Sequence, residues 1–226
     1  MNRSLAAIVA AVAVVAAGQA AEAKRPAPAS PLQRVTYYLH GNSQIGEQDQ
    51  TILTGSPLTM NATAPTGSSD KGKILENYVV GPNPSCTENG AFGVWEGAMN
   101  GGTLVGTVNV TFFTQNSPAS AVDVRIFVDG ASGQCDAATS KAYQAAVAEK
   151  DGVALPGTGG KVSVAIPVTA VGKAAIAHGN VVLEISPTVL TAGRLTPAVQ
   201  RVLYDSTTSL SSVSFSCKPK AGRKIC

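Results

Sequence analysis

His40 and His178 are the only imidazoles in this chain of 226 residues, and they bound the acid–base chemistry it can host. A nucleophilic hydrolase needs a serine or cysteine, a base beside it and an acid that orients the base. No G-x-S-x-G elbow occurs anywhere in the sequence. His40 ends the stretch YYLHG and His178 lies in the turn-like AHGN. Without a nucleophile signature both read as structural or surface histidines, so no catalytic residue is assigned and the chain is read as not an enzyme.

Carboxylate chemistry has one candidate. Glu47 and Asp49 are two apart, so in a strand they would share a face. Sandwich glycosidases of the laminarinase type carry E-x-D-x-x-E on such a strand, but Ile52 stands where the second glutamate should be. Solvated loop carboxylates are the simpler reading. Metal chemistry is also thinly supplied. Four cysteines and two histidines contain no closely spaced Cys pair for zinc. The loop Asp129–Asp136 (DGASGQCD) lacks the alternating ligands and distal glutamate of an EF-hand, and Gly130 and Gly133 explain themselves as turn positions. No metal or cofactor is expected.

A carbohydrate platform needs exposed rings beside polar side chains. Tyr37 and Tyr38 are adjacent, so in a strand one points inward and the other outward. Trp95, the lone tryptophan, sits in AFGVWEG, where a core position is the simpler reading. The ligand-binding candidates are therefore Tyr38, Trp95, Glu47 and Asp49.

Composition narrows the class further. With 44% hydrophobic and 14% charged residues the chain is too apolar for intrinsic disorder. A net charge of +3 and 5% aromatics give no nucleic-acid footprint. Met1–Ala23 reads as a signal peptide: Arg3 supplies the positive start, Leu5–Ala17 is apolar throughout, and Ala21-Glu22-Ala23 offers a cleavage site. A membrane span would need about 20 apolar residues. The expectation is an extracellular or periplasmic protein with no membrane insertion after cleavage. Lys24, Arg25, Lys218, Lys220, Arg223 and Lys224 put basic charge at the two ends of the mature chain and leave its body mildly acidic.

An even number of cysteines in an exported chain argues for two disulfides; of three possible connectivities, Cys86–Cys135 with Cys217–Cys226 is favoured, because the last two are close in sequence with Pro219 and Gly222 between them to turn the chain. On a loop-entropy basis the longer closure would stabilise by about 4 kcal/mol and the shorter by about 2.7 kcal/mol. Residues 24–34 read as a Pro-rich extended lead-in, 35–217 as one domain, and 218–226 as a basic loop closed by the second disulfide.

The positioning elements are strands. Period-two alternation interrupted by Gly, Pro, Asn and Ser clusters predicts strands at 35–39, 57–63, 74–80, 91–97, 103–113, 122–129, 161–168, 180–186, 199–205 and 210–217. In 103–113, Leu104, Val108, Val110 and Phe112 share one side and Thr107, Asn109 and Thr111 the other. Val122, Val124, Ile126 and Val128 alternate in the same way with Asp123, Arg125 and Phe127. One wet face implies antiparallel pairing. Thr139–Lys150 reads as a short helix or an edge strand. About ten strands with at most one helix predict an all-β, two-sheet antiparallel sandwich of jelly-roll type.

The opening YYLHG at 37–41 and the closing RVLYDSTTSLSSVSF at 201–215 resemble accessory jelly-roll β-sandwich domains of secreted bacterial proteins, pre-peptidase C-terminal and CUB-like in style. The resemblance spans roughly residues 35–217 and implies a non-catalytic adhesion, targeting or ligand-binding role. The expected function is thus binding or cell-surface interaction. The expected partner is an extracellular polysaccharide or a surface protein, with a carbohydrate-active protein and a structural envelope protein as alternatives.

Overall fold

The structure is a computed structural model that describes residues 31–41, 58–75, 93–115, 121–128, 146–169, 175–176, 179–187, 200–223 and 225–226. Twelve strands and no helix are present among them. They are β1 Gln33–His40, β2 Leu58–Asn61, β3 Lys71–Leu75, β4 Gly93–Ala98, β5 Gly102–Gln115, β6 Ala121–Val128, β7 Ala148–Ala154, β8 Gly159–Pro167, β9 Ala175–Ile176, β10 Asn180–Pro187, β11 Gln200–Tyr204 and β12 Ser212–Pro219. The all-β expectation holds.

Hydrogen bonding runs unbroken in the order β3-β11-β5-β12-β1-β2-β4-β10-β6-β7, with β8 and β9 branching from β5. β5 can serve four partners because it is 14 residues long: β12 and β11 share one edge, β8 and β9 the other. Its burial alternates as the sequence predicts, with Leu104, Val108, Val110 and Phe112 all fully buried. The register against β12 shifts between Ser214 and Ser216, opposite Gly106, whose φ of 75° lets the extra residues loop out without reversing the inward face.

A flat sheet would separate β4 from β11, five strands apart in this order, by roughly 24 Å. Instead the rings of Trp95 on β4 and Tyr204 on β11 meet edge-to-face with centroids 5.6 Å apart. The sheet therefore folds over on itself, and the surface it encloses is the core. Leu39, Met60, Trp95, Phe112, Ile126, Leu183, Tyr204 and Phe215 belong to that single cluster.

Four expectations are corrected. The third strand starts at Lys71, ahead of the expected 74, and is described as far as Leu75; residues 76–80 lie outside the described residues. Ala148–Ala154 is a strand at the end of the sheet path, which settles the edge-strand alternative for that part of 139–150; residues 139–145 lie outside the described residues. The β2–β4 pair is parallel, Leu58 opposite Trp95 and Thr59 opposite Glu96, whereas every other pair is antiparallel. Finally, the outward face of β6 is not simply wet. Phe127 packs with Val94 and Val182 in a second buried cluster, and Asp123 is 8% exposed.

Cys217 and Cys226 form a disulfide, as their spacing predicts, whereas Cys86 and Cys135 lie outside the described residues. Gly102, at φ 152°, packs directly beneath this bond: a Cβ there would sit 2.7 Å from Cys217 Sγ and 2.7 Å from the Lys218 carbonyl. No helix among the described residues is long and apolar enough to cross a membrane.

Trp95 is fully buried, yet its Nε1 has no hydrogen-bond partner among the described residues. The indole therefore contributes volume and apolar surface. Trp95→Phe should cost only about 1–2 kcal/mol and Trp95→Ala about 3–5 kcal/mol in urea unfolding. Equal losses for the two would mean that the indole N–H matters after all.

Candidate binding site

The two ends of the fold meet at a polar seam. β11 stops at Tyr204, and Asp205 turns the chain in the left-handed region at φ 62°, a conformation that aspartate tolerates better than most residues. Its carboxylate reaches two side chains from different strands. Oδ1 lies 2.7 Å from His40 Nδ1 at the end of β1, and Oδ2 lies 3.0 Å from Lys71 Nζ at the start of β3. His40 Nε2 is 2.9 Å from the Thr63 carbonyl, and Lys71 also donates to the Gly41 carbonyl at 2.7 Å. Burial works against the Asp205 charge, but hydrogen bonds and charge from His40 and Lys71 outweigh it and hold the carboxyl below the ordinary range.

The serine-rich turn after Asp205 is a hydrogen-bonded knot. Ser206 bonds Asp70 and accepts from the Ser209 amide at 3.0 Å, while Thr207 N–H donates to the Gly67 carbonyl at 2.8 Å. Ser211 donates to the Leu203 carbonyl at 2.6 Å. Both nitrogens of His40 face acceptors, and the Ser206 hydroxyl is committed to Asp70. These contacts hold the end of β1, the start of β3 and the turn after β11 together.

Tyr37 and Tyr38 part as adjacent strand residues must. Tyr37 turns inward, edge-to-face with Phe215 at 5.9 Å, and donates to the Ala98 carbonyl at 2.5 Å. Its hydroxyl is pushed up from the usual tyrosine pKa by burial. Tyr38 turns outward and is half-buried. The cross-strand pairing sets it in a row that crosses five strands: Ser163 on β8, Thr111 on β5, Ser212 on β12, Tyr38 on β1 and Asn61 on β2. A second row alongside holds Ala165, Asn109, Ser214 and Thr36. Thr36 with Ser214 at 3.0 Å and Thr111 with Ser163 at 3.3 Å cross-link the rows' hydroxyls. Neither row contains a charged side chain.

Asn61 also borders an open groove of ≈ 390 Å³ beyond the end of β2, where Tyr37, Leu58 and Met60 supply apolar surface. Thr59, Glu96 and Asn180 supply its polar groups, and Asn180 Nδ2 donates to Glu96 Oε1 at 2.6 Å. Gly97 keeps the Tyr37 ring in place, since a Cβ there would lie 2.7 Å from it.

A separate ionic cluster lies on the outward face of β6. Arg125 bonds Asp123 at 3.1 Å, Glu149 at 3.1 Å and Asp151 at 3.0 Å, and lies 3.6 Å from Glu184. Glu184 is 3% exposed. Burial, more than the opposing Arg125, raises its pKa. Burial followed by repulsion from Asp123 and Glu149 raises that of Asp151. The cluster pins β6 to β7 and β10.

Of the four ligand-binding candidates, Tyr38 stands on an accessible face. Trp95 is fully buried against Tyr204, so it has no ring face to offer a sugar. Glu47 and Asp49 lie outside the described residues, as do His178 and the Asp129–Asp136 loop. The polar rows, the groove around Glu96 and Asn180, and the Arg125 cluster were not foreseen. The signal for the cluster was present as D-x-R at 123–125 and E-x-D at 149–151, complementary charges at strand spacing.

No protein-family model matches the chain, and no curated protein sequence matches it. Two crystal structures of a CocE/NonD family hydrolase from Staphylococcus aureus are similar, each 8% identical, with TM-scores of 0.49 and 0.47 over 84% and 82% of this chain. An aminopeptidase from a marine sediment archaeon, Thaumarchaeota archaeon, is 6% identical with a TM-score of 0.46 over 83% of this chain. The match covers 37% of the length of each of those chains.

The two ionic centres respond to acid in opposite directions. Asp205, with its lowered pKa, supplies stability that is present above the ordinary carboxylate range and is lost as pH falls through its own value. Asp205→Asn keeps the left-handed turn tolerable, so it should cost about 1–3 kcal/mol at neutral pH, with the gap to the parent closing in strong acid. Glu184, with its raised pKa, contributes stability that is fully present below the ordinary carboxylate value and is lost as pH rises through its own value. Arg125→Gln should therefore cost about 3–5 kcal/mol at neutral pH and recover as the medium is acidified. Urea midpoints measured across pH check both: each variant's deficit against the parent should shrink as the medium is acidified, and a deficit that stays constant with pH would contradict the assignment.

Proposed function

We propose that this chain is an exported, non-catalytic binding module whose folded-over sheet acts as the two layers of a jelly-roll β-sandwich, and that its ligand is a neutral extracellular polysaccharide. The observation that carries this reading is the uncharged polar face centred on Tyr38. Hydroxyl and amide side chains spaced across five strands offer donors and acceptors to sugar hydroxyls, and Tyr38 offers an amphipathic ring. The row runs through Asn61 into the groove of Tyr37, Glu96 and Asn180, a place for the end of a glycan chain. The Cys217–Cys226 disulfide is compatible with an oxidising extracellular or periplasmic compartment. The likeness of YYLHG and LYDSTTSLSS to accessory jelly rolls supports the same role.

An uncharged face predicts binding indifferent to ionic strength. The oxidised protein should be retained on one insoluble neutral polysaccharide at both low and high salt. Tyr38→Ala should weaken retention about tenfold or more, as for a central aromatic anchor, with the thermal midpoint unchanged. Retention that vanishes with salt, or that survives Tyr38→Ala, overturns this assignment.

A further inference from the structure

We propose that the disulfide-closed C-terminal loop, together with the start of β1, forms a peripheral docking surface for an anionic lipid bilayer. Three large hydrophobic side chains are exposed among the described residues, and two of them, Leu32 at 61% and Ile225 at 60%, lie at this one end. The Cys226 amide donates to Gln33 Oε1 at 3.0 Å, so Leu32 and Ile225 each sit one residue from the same hydrogen bond. Around them stand Arg34, Lys218, Lys220 and Arg223, all exposed and none in an ion pair with a described acidic residue.

The loop is held in shape before any partner arrives. The disulfide ties its ends, Arg223 N–H closes a turn on the Lys220 carbonyl at 2.9 Å, and Gly222 takes φ 83° to allow it. Asn100 N–H donates to the Cys226 carbonyl and anchors the tail to the β4–β5 connection. Gln33 also stands opposite Cys217 in the β1–β12 register, which fixes Leu32 and the loop on one edge.

A soluble polyanion would engage the cations alone and leave two aliphatic side chains in water. An anionic bilayer uses both, the aliphatics at the boundary between headgroups and acyl chains and the cations in the negative surface potential. Each cation near such a surface strengthens binding about fivefold, and each aliphatic side chain drawn from water about tenfold. This surface is separate from the Tyr38 face and does not depend on the glycan reading.

The test is sedimentation with phosphatidylcholine vesicles and with vesicles containing about a third phosphatidylglycerol, using the chain from Lys24, which keeps every described residue. The full chain is run beside it. A contribution from the apolar run at 5–17 would show as binding indifferent to headgroup charge. Binding should favour the anionic vesicles at least about tenfold and weaken as salt is added. The Lys218→Ser/Lys220→Ser/Arg223→Ser variant should lose about a hundredfold, and Leu32→Ser/Ile225→Ser about tenfold or more, with parental thermal midpoints because all five side chains are exposed. Equal binding to both vesicle types, or none at low salt, overturns the proposal. So does a Leu32→Ser/Ile225→Ser variant that binds like the parent, which, with heparin competing, would assign the loop to a soluble polyanion.

Discussion

Asp205 is the point on which the closure of the sheet depends. It ends β11 in a backbone conformation that costs a non-glycine residue energy, and it persists there because His40 and Lys71 grip its two oxygens. Those two side chains come from the ends of strands that are not neighbours in the sheet, so one carboxylate ties β1, β3 and β11 together. The residue before it, Tyr204, is thereby aimed inward against Trp95, the contact that brings β4 over β11. The residue after it, Ser206, begins the serine knot that delivers the chain into β12. Polar and apolar closure are thus consecutive in the chain, at Asp205 and Tyr204.

The consequence for the Tyr38 face is indirect. Tyr38 is two residues from His40, on the same side of β1, and its neighbours on β12 begin at Ser212, directly after the serine knot. The Leu39 amide donates to the Ser211 carbonyl at 3.0 Å, locking the register at the point where the row starts. A slip of one residue there would turn Tyr38 into the core and Leu39 to solvent. The seam therefore fixes the register of β1 against β12 where the row starts.

What the sequence made legible was whatever repeats with period two. The buried side of β5 and the opposite facing of Tyr37 and Tyr38 followed from alternation, and Cys217–Cys226 followed from short spacing. β7 did not, because AEKDGVA has helical composition and its exposure does not alternate; pairing with β6 imposes the strand. β9, two residues long, left no pattern to find. The His40–Asp205 contact joins residues 165 apart by a polar interaction, and such contacts have no periodic signature. Both halves of the seam were nonetheless visible as the motifs that carried the family resemblance. The wet-face reading of β6 failed because a strand covered on both sides can still alternate charge with apolar residues when its charges are paired, as Arg125 pairs Asp123 and Glu184.

The charge distribution follows from the same division of labour. Acidic side chains gather around Arg125 on β6, β7 and β10, where their mutual repulsion is absorbed by one guanidinium. Cations collect on the tail beyond β12, where no described acid answers them. Between these lies β5, whose outward residues Thr107, Asn109 and Thr111 are uncharged, continued by Ser212, Ser214 and Thr36. Charges placed along that middle face would orient water and counter-ions over it and would have to be stripped before a neutral ligand could settle. Hydroxyl and amide groups carry a smaller desolvation cost and regain it by hydrogen bonding. Along the two rows the sheet presents hydroxyl and amide groups rather than charges, which leaves those rows open to neutral contacts.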